Sequence, residues 1–396
     1  MRIYAKYIYT LESAEPIRDG YVEYDDEGRI ISVGEIPQGR LPEGEIMLDG
    51  AVTPGFVNAH CHVELSYMKG LFRRGTGMAG FIDQINALRD VAPLQERLEC
   101  IQEQMDSMYK SGVSAMADIS NCDESFAIKA SSPMYTRTFL EVFGTDPSDV
   151  GSIMASAGEL CRKAAECSID AAPTPHACYT MSPELIAASS SEAIDAGFIS
   201  YHSEETPQEE EMLSSGSGPL WDNRKAAGMR TPPVTGGTSL EYFLDILAGT
   251  GKALDSAHVL LVHEVCMTEE GVRKAMRLLP NVFVALCPRS NIYIHDALPP
   301  VEMMRRSGIR LCLGTDSLSS NDSLDMVSEM LCLQENFPSV GFGEILSWCC
   351  RGGADFLGKG DILGSIAPGK RPGLVFIDHL DREGRLTSGS ESYRLC

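Results

Sequence analysis

The sequence predicts an α/β protein: a (β/α)8 TIM-type barrel with a small β-sandwich built from both chain termini. Eight apolar strand candidates alternate with helical stretches along most of the chain, and eight is the strand count of such a barrel. Both chain ends instead hold short alternating runs broken by Gly, Asp and Pro, a pattern typical of a small antiparallel unit. The rival doubly wound sheet would need a Gly-rich phosphate turn, which the sequence lacks.

The domain prediction follows from these runs. "RIYAKYIYT", "GYVEYDDEGRIISVGE" and "EIMLDGAVTPGF" open the chain, and "GSIAPGKRPGLVFID" returns to the same pattern near its end. Because the ends of a chain often meet, we assign residues 1–50 and 365–396 to the β-sandwich and residues 51–364 to the barrel.

The first predicted barrel strand lies in "TPGFVNAHCH", residues 53–62. The other seven candidates are "SAMADIS" (114–120), "TRTFLEVFG" (136–144), "IDAAPTPHA" (169–177), "FISYHSEE" (198–205), "HVLLVHEV" (258–265), "NVFVALCP" (281–288) and "RLCLGTDS" (310–317). Helical stretches between them include "QERLECIQEQMDSMYKSG", "SIMASAGELCRKAAEC", "SLEYFLDILAGTG" and "TEEGVRKAMRLL". The charge run "EETPQEEEML" is interpreted as a solvated loop or the start of a helix.

Composition excludes several classes of partner. The 396 residues are 43% hydrophobic and 22% charged, as in an ordinary globular enzyme. A formal net charge of −23 argues against nucleic acid and anionic lipid, whose phosphates it would repel. The sequence has no apolar h-region and no run long enough to span a membrane, and its 13 cysteines form no C-x-x-C pair. We therefore expect a cytoplasmic protein with free thiols and a small-molecule substrate, and without a nucleic-acid or membrane partner.

Two histidines stand at the end of the first strand. Residues i and i+2 of a strand point to the same face, so His60 and His62 project side by side while Cys61 points away. Two imidazoles on one face suit a metal ion, although buried structural histidines would have the same spacing. The residues at the other predicted strand ends distinguish a metal site from a pair of structural histidines.

Metal-type residues recur at other predicted strand ends, where the catalytic groups of a barrel lie. His176, His202 and His263 end the fourth, fifth and sixth strands, and Asp316 follows the eighth. Any one of them alone is more often structural: a hydrogen-bonded histidine, or an aspartate in a turn or helix cap. Their joint placement at one end of successive strands favours a metal site.

These residues resemble a known group of enzymes. "TPGFVNAHCH", together with His202, His263 and "GTDS", is similar to the amidohydrolase superfamily, and most of all to its deaminase and chlorohydrolase branch. That branch includes S-adenosylhomocysteine, guanine and aminodeoxyfutalosine deaminases. The resemblance covers essentially the whole chain. It departs at "KRPGL", where a Lys-Asp-Ala-Asp-Leu type run is common, a position that we place in the sandwich.

The resemblance implies one divalent metal ion bound by His60, His62, His202 and Asp316. Zn²⁺ is the first expectation, with Fe²⁺ and Mn²⁺ as alternatives, because imidazole and carboxylate ligands suit all three. The resemblance further implies that His263 hydrogen-bonds the metal-bound water and that Glu205 is the acid/base residue. Glu204 is adjacent, but the spacing of three residues from His202 favours Glu205.

These roles agree with the chemistry of hydrolytic deamination. A metal ion lowers the pKa of bound water from ~16 to ~7, which gives hydroxide at neutral pH. Asp316 can take the water proton, and Glu205 can protonate a ring nitrogen while hydroxide attacks. Two-metal amidohydrolases commonly use a carboxylated lysine on the fourth strand, but "APTPHACYT" contains no lysine, so we expect a mononuclear site.

Substrate contacts are predicted on the loops after the strands. His176 matches a substrate-contacting histidine of the purine-nucleoside deaminases, and Glu64 is expected to contact substrate or neighbouring loops. In "CPRSN", Ser290 and Asn291 are further candidates, and Arg289 suits a carboxylate or phosphate, with a surface ion pair as its alternative. Residues 67–85 are expected to cover the mouth, and their Arg73 and Arg74 are second candidates for an anionic substrate group.

The resemblance implies an aminohydrolase of the EC 3.5.4 type, which deaminates a purine-type heterocycle or adenine-bearing nucleoside through a metal-bound hydroxide. Aminodeoxyfutalosine is the first expected substrate, and guanine deaminase or a chlorohydrolase-like dehalogenase is the alternative. In a different class, the chain would be an inactive metal-binding barrel that acts as a binding protein. A pure binder has no need of Glu205, His263 and Asp316 together. Barrels of this kind often pair, so a homodimer is one expectation.

Overall fold

The computed structural model describes the backbone of residues 1–396 and every side chain except that of residue 38. Its fourteen strands are β1 Arg2–Ile8, β2 Ile17–Tyr24, β3 Ile30–Glu35, β4 Met47–Pro54, β5 Phe56–Cys61, β6 Val113–Ser120, β7 Tyr135–Val142, β8 Asp170–Pro175, β9 Phe198–Ser203, β10 His258–His263, β11 Val282–Leu286, β12 Arg310–Leu313, β13 Leu374–Ile377 and β14 Ser392–Arg394.

Fourteen α-helices separate or follow these strands. They are α1 Gly77–Leu88, α2 Leu94–Ser111, α3 Phe126–Ser131, α4 Val150–Glu166, α5 Pro183–Asp195, α6 Pro207–Ser215, α7 Pro219–Ala226, α8 Ser239–Gly249, α9 Glu269–Leu278, α10 Pro288–His295, α11 Val301–Ser307, α12 Met326–Asn336, α13 Phe342–Ser347 and α14 Gly353–Phe356. A short 3-10 helix, Val63–Met68, directly follows β5, and a π-helical turn, Trp348–Gly352, joins α13 to α14.

Eight of the strands form two four-stranded parallel sheets, in the orders β5-β6-β7-β8 and β12-β11-β10-β9. These are the eight strands predicted from the sequence. Parallel strands covered on both faces read as continuous apolar runs, and β5 and β11 are buried along their whole lengths. The α/β class with parallel sheets is therefore confirmed.

The two sheets contact each other at both edges. Next to β5, the backbone N–H groups of Thr315 and Asp316 donate to the His60 carbonyl at 3.0 Å, and the Asn58 amide donates to the Thr315 hydroxyl at 2.8 Å. At the other edge, the His202 N–H donates to the His176 carbonyl at 2.9 Å. Gly314 is required at the first of these edges, because a Cβ there would lie 2.8 Å from the Cβ of His60.

Side chains fill the space between the two sheets. Alternate residues of β5, β6 and β10, among them Val57, Ala117 and Leu260, are fully or almost fully buried in one apolar cluster with Phe356 of α14. A packed interior of this kind leaves the strand ends as the place where polar groups can collect.

The remaining six strands form one mixed sheet in the order β14-β13-β4-β1-β2-β3. Both ends of the chain contribute strands to it, β1 to β4 from the first part and β13 and β14 from the last. Its buried residues include Ile8, Val22, Val52 and Leu374. Strand β4 continues to Pro54, past the boundary predicted at residue 50.

Two further expectations can be compared with the structure. Most of the charge run forms helix α6, which agrees with the interpretation of the run as the start of a helix. The prediction that the run is solvated is wrong for Glu204 and Glu209, which are fully buried.

Among the helices described, none combines the length and apolar character that a membrane crossing requires.

Candidate active site

The imidazoles predicted at separate strand ends lie together in the structure. His60 ends β5 and contacts His62, with ring centroids 4.9 Å apart. His202 of β9 lies 4.8 Å from His60 and 4.7 Å from His176, and His263 of β10 lies 5.5 Å from His202. Positions as distant in sequence as 60 and 263 are thus brought to one end of the two parallel sheets.

A three-histidine group within this cluster fits a metal ion. Nitrogens of His60, His62 and His202 lie within 4.8 Å of one another, and Nε2 of His60 is 3.1 Å from Nε2 of His62. Burial lowers the pKa of His60 and of His202 well below the usual range, so both rings are neutral, as a metal ligand must be. Oδ1 of Asp316 is 3.5 Å from Nε2 of His62 and 3.8 Å from Nε2 of His60.

Asp316 is held in position by two hydroxyl groups. Its Oδ2 accepts hydrogen bonds from Ser290 at 2.6 Å and from Ser320 at 2.8 Å, which leaves Oδ1 directed to the histidines. The residue has a φ of 55°, a left-handed conformation that costs energy outside glycine and is concentrated at functional sites.

His263 is oriented from behind by Asn291. The Asn291 amide nitrogen lies 3.0 Å from Nδ1 of His263 and donates to it, which places the ring proton on Nε2. Burial lowers the pKa of His263 to about 4, so the ring is neutral at neutral pH. Its Nε2 faces the site 3.4 Å from Oε1 of Glu205 and can donate a hydrogen bond there.

Glu205 lies at the start of the loop after β9, and its side chain is buried. Its Oε2 accepts a hydrogen bond from the Tyr179 hydroxyl at 2.8 Å, and its backbone N–H donates to Glu209 at 2.8 Å. Burial, with the nearby charge of Asp316, raises the pKa of Glu205 well above its usual range. The group therefore carries a proton near neutral pH, as an acid catalyst must.

Glu141, at the end of β7, lies beside the histidines. Its Oε1 is 3.4 Å from Nδ1 of His202 and its Oε2 is 4.0 Å from Nε2 of His176. Nδ1 of His202 forms its hydrogen bond with the His176 carbonyl, at 3.3 Å, and burial raises the pKa of Glu141 well above its usual range. His176 also forms a hydrogen bond of 2.6 Å from Nδ1 to the hydroxyl of Thr180.

A buried ion pair between Asp118 and Lys129 lies next to the backbone of Val63, the residue after His62. Asp118 of β6 accepts a hydrogen bond from the N–H of Val63 at 2.9 Å and pairs with Lys129 at 2.5 Å. On the same side, both carboxylate oxygens of Glu64 accept from the N–H of Asn121 at 3.0 Å, and burial raises the pKa of Glu64 to about 7.

The cluster opens into a cavity of about 510 Å³. The predicted residues that line it are Glu64, His62, His176, His202, Glu205, His263 and Asp316. One wall is helix α1 with the residues around it, including Phe81 and Ile85, which agrees with the expectation that residues 67–85 cover the mouth. The rest of the wall is largely apolar and large enough for a drug-sized heterocycle.

A comparison with protein-family models matches residues 51–391 to the amidohydrolase family. The protein belongs to the amidohydrolase family. This finding confirms the resemblance inferred from "TPGFVNAHCH", His202, His263 and "GTDS".

Curated relatives of this amidohydrolase include an adenosine deaminase of Helicobacter pylori, 25% identical over 377 residues, with 92% of this chain and 88% of the relative covered. An aminodeoxyfutalosine deaminase of a Nitratiruptor species is 27% identical over 373 residues, with 91% and 88% covered. Among solved structures, Helicobacter pylori aminofutalosine deaminase in complex with methylthio-coformycin matches with a TM-score of 0.79 at 23% identity, and covers 98% of this chain and 93% of that one. That structural match shows a shared fold.

Several predicted substrate residues of this amidohydrolase have other neighbours. The side chains of Ser290 and Asn291 are fully buried against Asp316 and His263, respectively. Arg289 donates from Nε to Asn321 at 2.9 Å and pairs with Asp322 at 3.2 Å, which matches the ion-pair alternative.

Arg74 also binds Asp322, at 2.6 Å. In the described part of the chain, Arg73, Arg74 and Arg289 are not among the residues that line the cavity.

Sequence reasoning overlooked Tyr179, Glu141, Asp118 and Lys129. A signal existed for Glu141, because an acid inside the apolar run "TFLEVF" needs a partner when that strand is buried. Tyr179 lies in "PHACYT" beside His176, but a tyrosine at a strand end is common and predicts no specific contact.

Proposed function

We propose that this amidohydrolase is a metal-dependent aminohydrolase that removes the amino group of an adenine-bearing nucleoside and releases ammonia. The observation that carries the proposal is the position of Glu205, a buried carboxyl group with a raised pKa that lies 3.4 Å from His263 in the cavity that also holds the histidine group. The names of the curated relatives, an adenosine deaminase and an aminodeoxyfutalosine deaminase, support the same class of reaction: hydrolysis of a C–N bond in a cyclic amidine.

The metal ion would be held by His60, His62, His202 and Asp316, and Zn²⁺ is our first choice for its identity. The neutral, buried imidazoles and the free Oδ1 of Asp316 fit such an ion. A divalent ion bound there supplies a Lewis acid that makes water a nucleophile at neutral pH.

The residues of the chain divide the proton transfers between them. Burial raises the pKa of Asp316, but the neighbouring histidines and the Ser290 hydroxyl outweigh this and lower it, so Asp316 is ionised and its carboxylate can accept a proton from water. His263 donates from Nε2 and so orients the oxygen nucleophile. Glu205 donates its proton to a ring nitrogen of the substrate, which prevents negative charge from building up on the heterocycle while the C–O bond forms. The proton taken up by Asp316 then passes to the amino group, the C–N bond breaks, and ammonia leaves. Tyr179 holds the Glu205 carboxyl in place for that transfer.

Within this class, aminodeoxyfutalosine is the first candidate substrate. His176 and Glu64 line the cavity and can contact a nucleoside there. The alternative substrates are guanine and a chlorinated heterocycle. An inactive binding protein is disfavoured by the Tyr179 to Glu205 hydrogen bond, because a binder has no need of an oriented acid.

We further infer that the two parallel sheets are halves of one (β/α)8 barrel. The hydrogen bonds at both sheet edges, from Asp316 to His60 and from His202 to His176, support this closure. A terminal β-sandwich of residues 1–50 and 365–396 and a homodimer stay our predictions for the assembly.

Replacing Glu205 by Gln tests the proposal. Loss of an acid catalyst lowers a rate by about 10²- to 10⁴-fold, so E205Q should lose ammonia release from the accepted substrate by at least a hundredfold. Glu211→Gln, an exposed change on the same segment, is the matched control and should keep full activity.

The substrate screen should cover adenosine, S-adenosylhomocysteine, aminodeoxyfutalosine, guanine, cytosine and a chlorinated heterocycle. Unchanged turnover in E205Q contradicts the acid role. Silence of the wild-type protein across the whole panel contradicts the proposed reaction.

A further inference from the structure

The first turn of helix α1 is held by a side chain from another helix. The N–H of Ala79, in this turn, donates to Oε1 of Gln208 at 3.0 Å. Thr76 occupies the N-cap position of α1, but its side chain forms no capping hydrogen bond. Because the first N–H groups of a helix need partners from outside the helix, Gln208 of α6 supplies an acceptor that α1 itself lacks.

Gly77 shows how close the two segments are. It adopts a φ of 66°, and a Cβ at this position would lie 2.5 Å from Nε2 of Gln208. Glycine meets both requirements, the left-handed backbone and the close approach. The backbone of α1 and the Gln208 amide are therefore in direct contact, so a movement of this end of α1 must displace the Gln208 side chain or break its hydrogen bond.

Helix α1 is loosely packed beyond this turn. Among its described residues, only Met78 and Ala79 are buried. Phe81 and Ile85 line the cavity and remain partly exposed. Segments with few buried contacts open most readily, and a helix that covers a cavity can close on the ligand inside it. The buried turn that Gln208 contacts is thus the place where α1 is fastened.

The first turn of α6 also holds the backbone of the proposed acid. Glu209, the residue after Gln208, is fully buried, and its Oε2 accepts from the N–H of Glu205 at 2.8 Å. Its Oε1 accepts from the thiol of Cys178 at 3.4 Å. Cys178 precedes Tyr179, whose hydroxyl binds the carboxyl group of the same Glu205. Two consecutive residues of α6 therefore connect α1 on one side with the acid on the other.

We propose that Gln208 is a positioning residue, which couples the closure of α1 over the substrate to the placement of Glu205. This inference rests on the proposed function and adds a residue that acts through the acid. When α1 contacts the substrate, its first turn holds Gln208, and the first turn of α6 is fixed with it. Glu209 then keeps the backbone of Glu205 in place, so the acid is held best when a ligand fills the cavity beneath α1.

Gln208→Met tests the link, because it removes the acceptor and keeps the length of the side chain. At saturating concentrations of the nucleoside that the substrate panel identifies, kcat should fall by about 2- to 10-fold, the factor that one hydrogen bond contributes. KM should change less, since the substrate still holds α1 closed. Gln208→Glu keeps an acceptor oxygen at the helix N-terminus and should restore most of the wild-type kcat.

A rise in KM with an unchanged kcat in Gln208→Met would show that Gln208 only fastens α1, and would overturn the proposal. A kcat in Gln208→Glu as low as that in Gln208→Met would overturn it as well, because the acceptor oxygen is then not what matters.

Gln84→Met is the matched control, the same substitution on α1 itself. The amide oxygen of Gln84 accepts from the N–H of Arg73 at 2.8 Å, and its Nε2 donates to Thr76 and Gly80, so these bonds stay within one segment. The variant should loosen α1 and keep kcat. An equal fall of kcat in Gln84→Met and Gln208→Met would show that any loosening of α1 slows the reaction, and would overturn the role of Gln208.

Hydrogen–deuterium exchange without ligand separates this inference from the proposed reaction. Gln208→Met should speed exchange in residues 77–88 and in residues 203–210, whereas Gln84→Met should speed it in residues 73–88 alone. Unchanged exchange of residues 203–210 in Gln208→Met overturns the coupling, whatever the protein hydrolyses. Faster exchange there, together with full activity of E205Q, supports the link between α1 and α6 and contradicts the acid role instead.

Discussion

The hydroxyl of Tyr179 donates a 2.8 Å hydrogen bond to Oε2 of Glu205, and both side chains are buried in the wall of the cavity. Tyr179 follows β8 and Glu205 follows β9, so the bond joins the ends of two neighbouring strands. Tyr179→Phe removes the bond while keeping the ring. Because a hydrogen bond between uncharged groups is worth about 0.5–1.5 kcal/mol, kcat should fall by about 2- to 10-fold.

The pH profile of the same variant gives a second readout. The Tyr179 bond lowers the pKa of Glu205, so its loss should move the limb of the rate profile that reports this acid to higher pH. Tyr135→Phe, which breaks a 2.8 Å bond to Asp170 at the other end of the sheet, is the control. A profile of Tyr179→Phe that overlays the wild type would show that the bond does not tune the acid.

The purified protein is expected to contain one divalent metal ion per chain. Atomic absorption of the purified protein should give about one divalent ion per chain, because the four proposed ligands form one site. His60→Ala and His62→Ala should each lose the ion and the activity together, and a chelator should do the same to the wild type. Two ions per chain would contradict the mononuclear interpretation.

Glu141→Gln should weaken metal binding. Its carboxylate is 3.4 Å from Nδ1 of His202, and loss of such a partner typically costs about 10- to 100-fold in metal affinity. Competition with a chromophoric chelator measures the change, with Glu211→Gln as the reference. An affinity equal to that of the wild type would show that His202 is oriented by its neighbours without Glu141.

Two further carboxyl groups make stability depend on pH. Glu204 and Glu264 are fully buried, and burial raises the pKa of Glu204 to about 7 and that of Glu264 well above the usual range. Above about pH 4.3 the unfolded chain releases these protons while the folded protein keeps them. The free energy of unfolding should therefore fall as pH rises through about 5 to 7, with the full contribution present at lower pH.

Glu264→Gln removes one of these titrations and should flatten the curve by up to about 1.4 kcal/mol per pH unit. Urea unfolding of both proteins, followed by circular dichroism across this pH window, measures the difference. Parallel curves for variant and wild type would show that Glu264 does not take up a proton on folding.

The sequence predicted the parts of the site that depend on one strand at a time. The period of two places His60 beside His62, and the alternation of strands with helices places His202, His263 and Asp316 at the same end. The contacts between loops could not be predicted in this way. Whether Arg289 reaches the cavity depends on the direction of helix α10, and the structure directs its guanidinium to Asn321 and Asp322.

The same limit applies to Arg224. It lies on helix α7, outside every recognisable motif, and an arginine in "WDNRKA" reads as an ordinary surface residue. Only packing shows that this side chain is buried and that no carboxylate accompanies it. Charge pairing depends on neighbours distant in sequence, whereas strand and helix patterns depend on neighbours close in sequence.

The hydrogen bonds between the Asn58–His60 stretch and the Thr315–Asp316 stretch have one further consequence. The proposed ligands His60 and Asp316 lie on the two sides of this contact. His60 is on β5, the first strand of the two parallel sheets in sequence, and Asp316 follows β12, the last. An ion that binds both would connect two segments that are distant in sequence. Metal binding would then stabilise the folded chain as well as supply the chemistry, because the two segments must be in contact before both ligands can bind the ion.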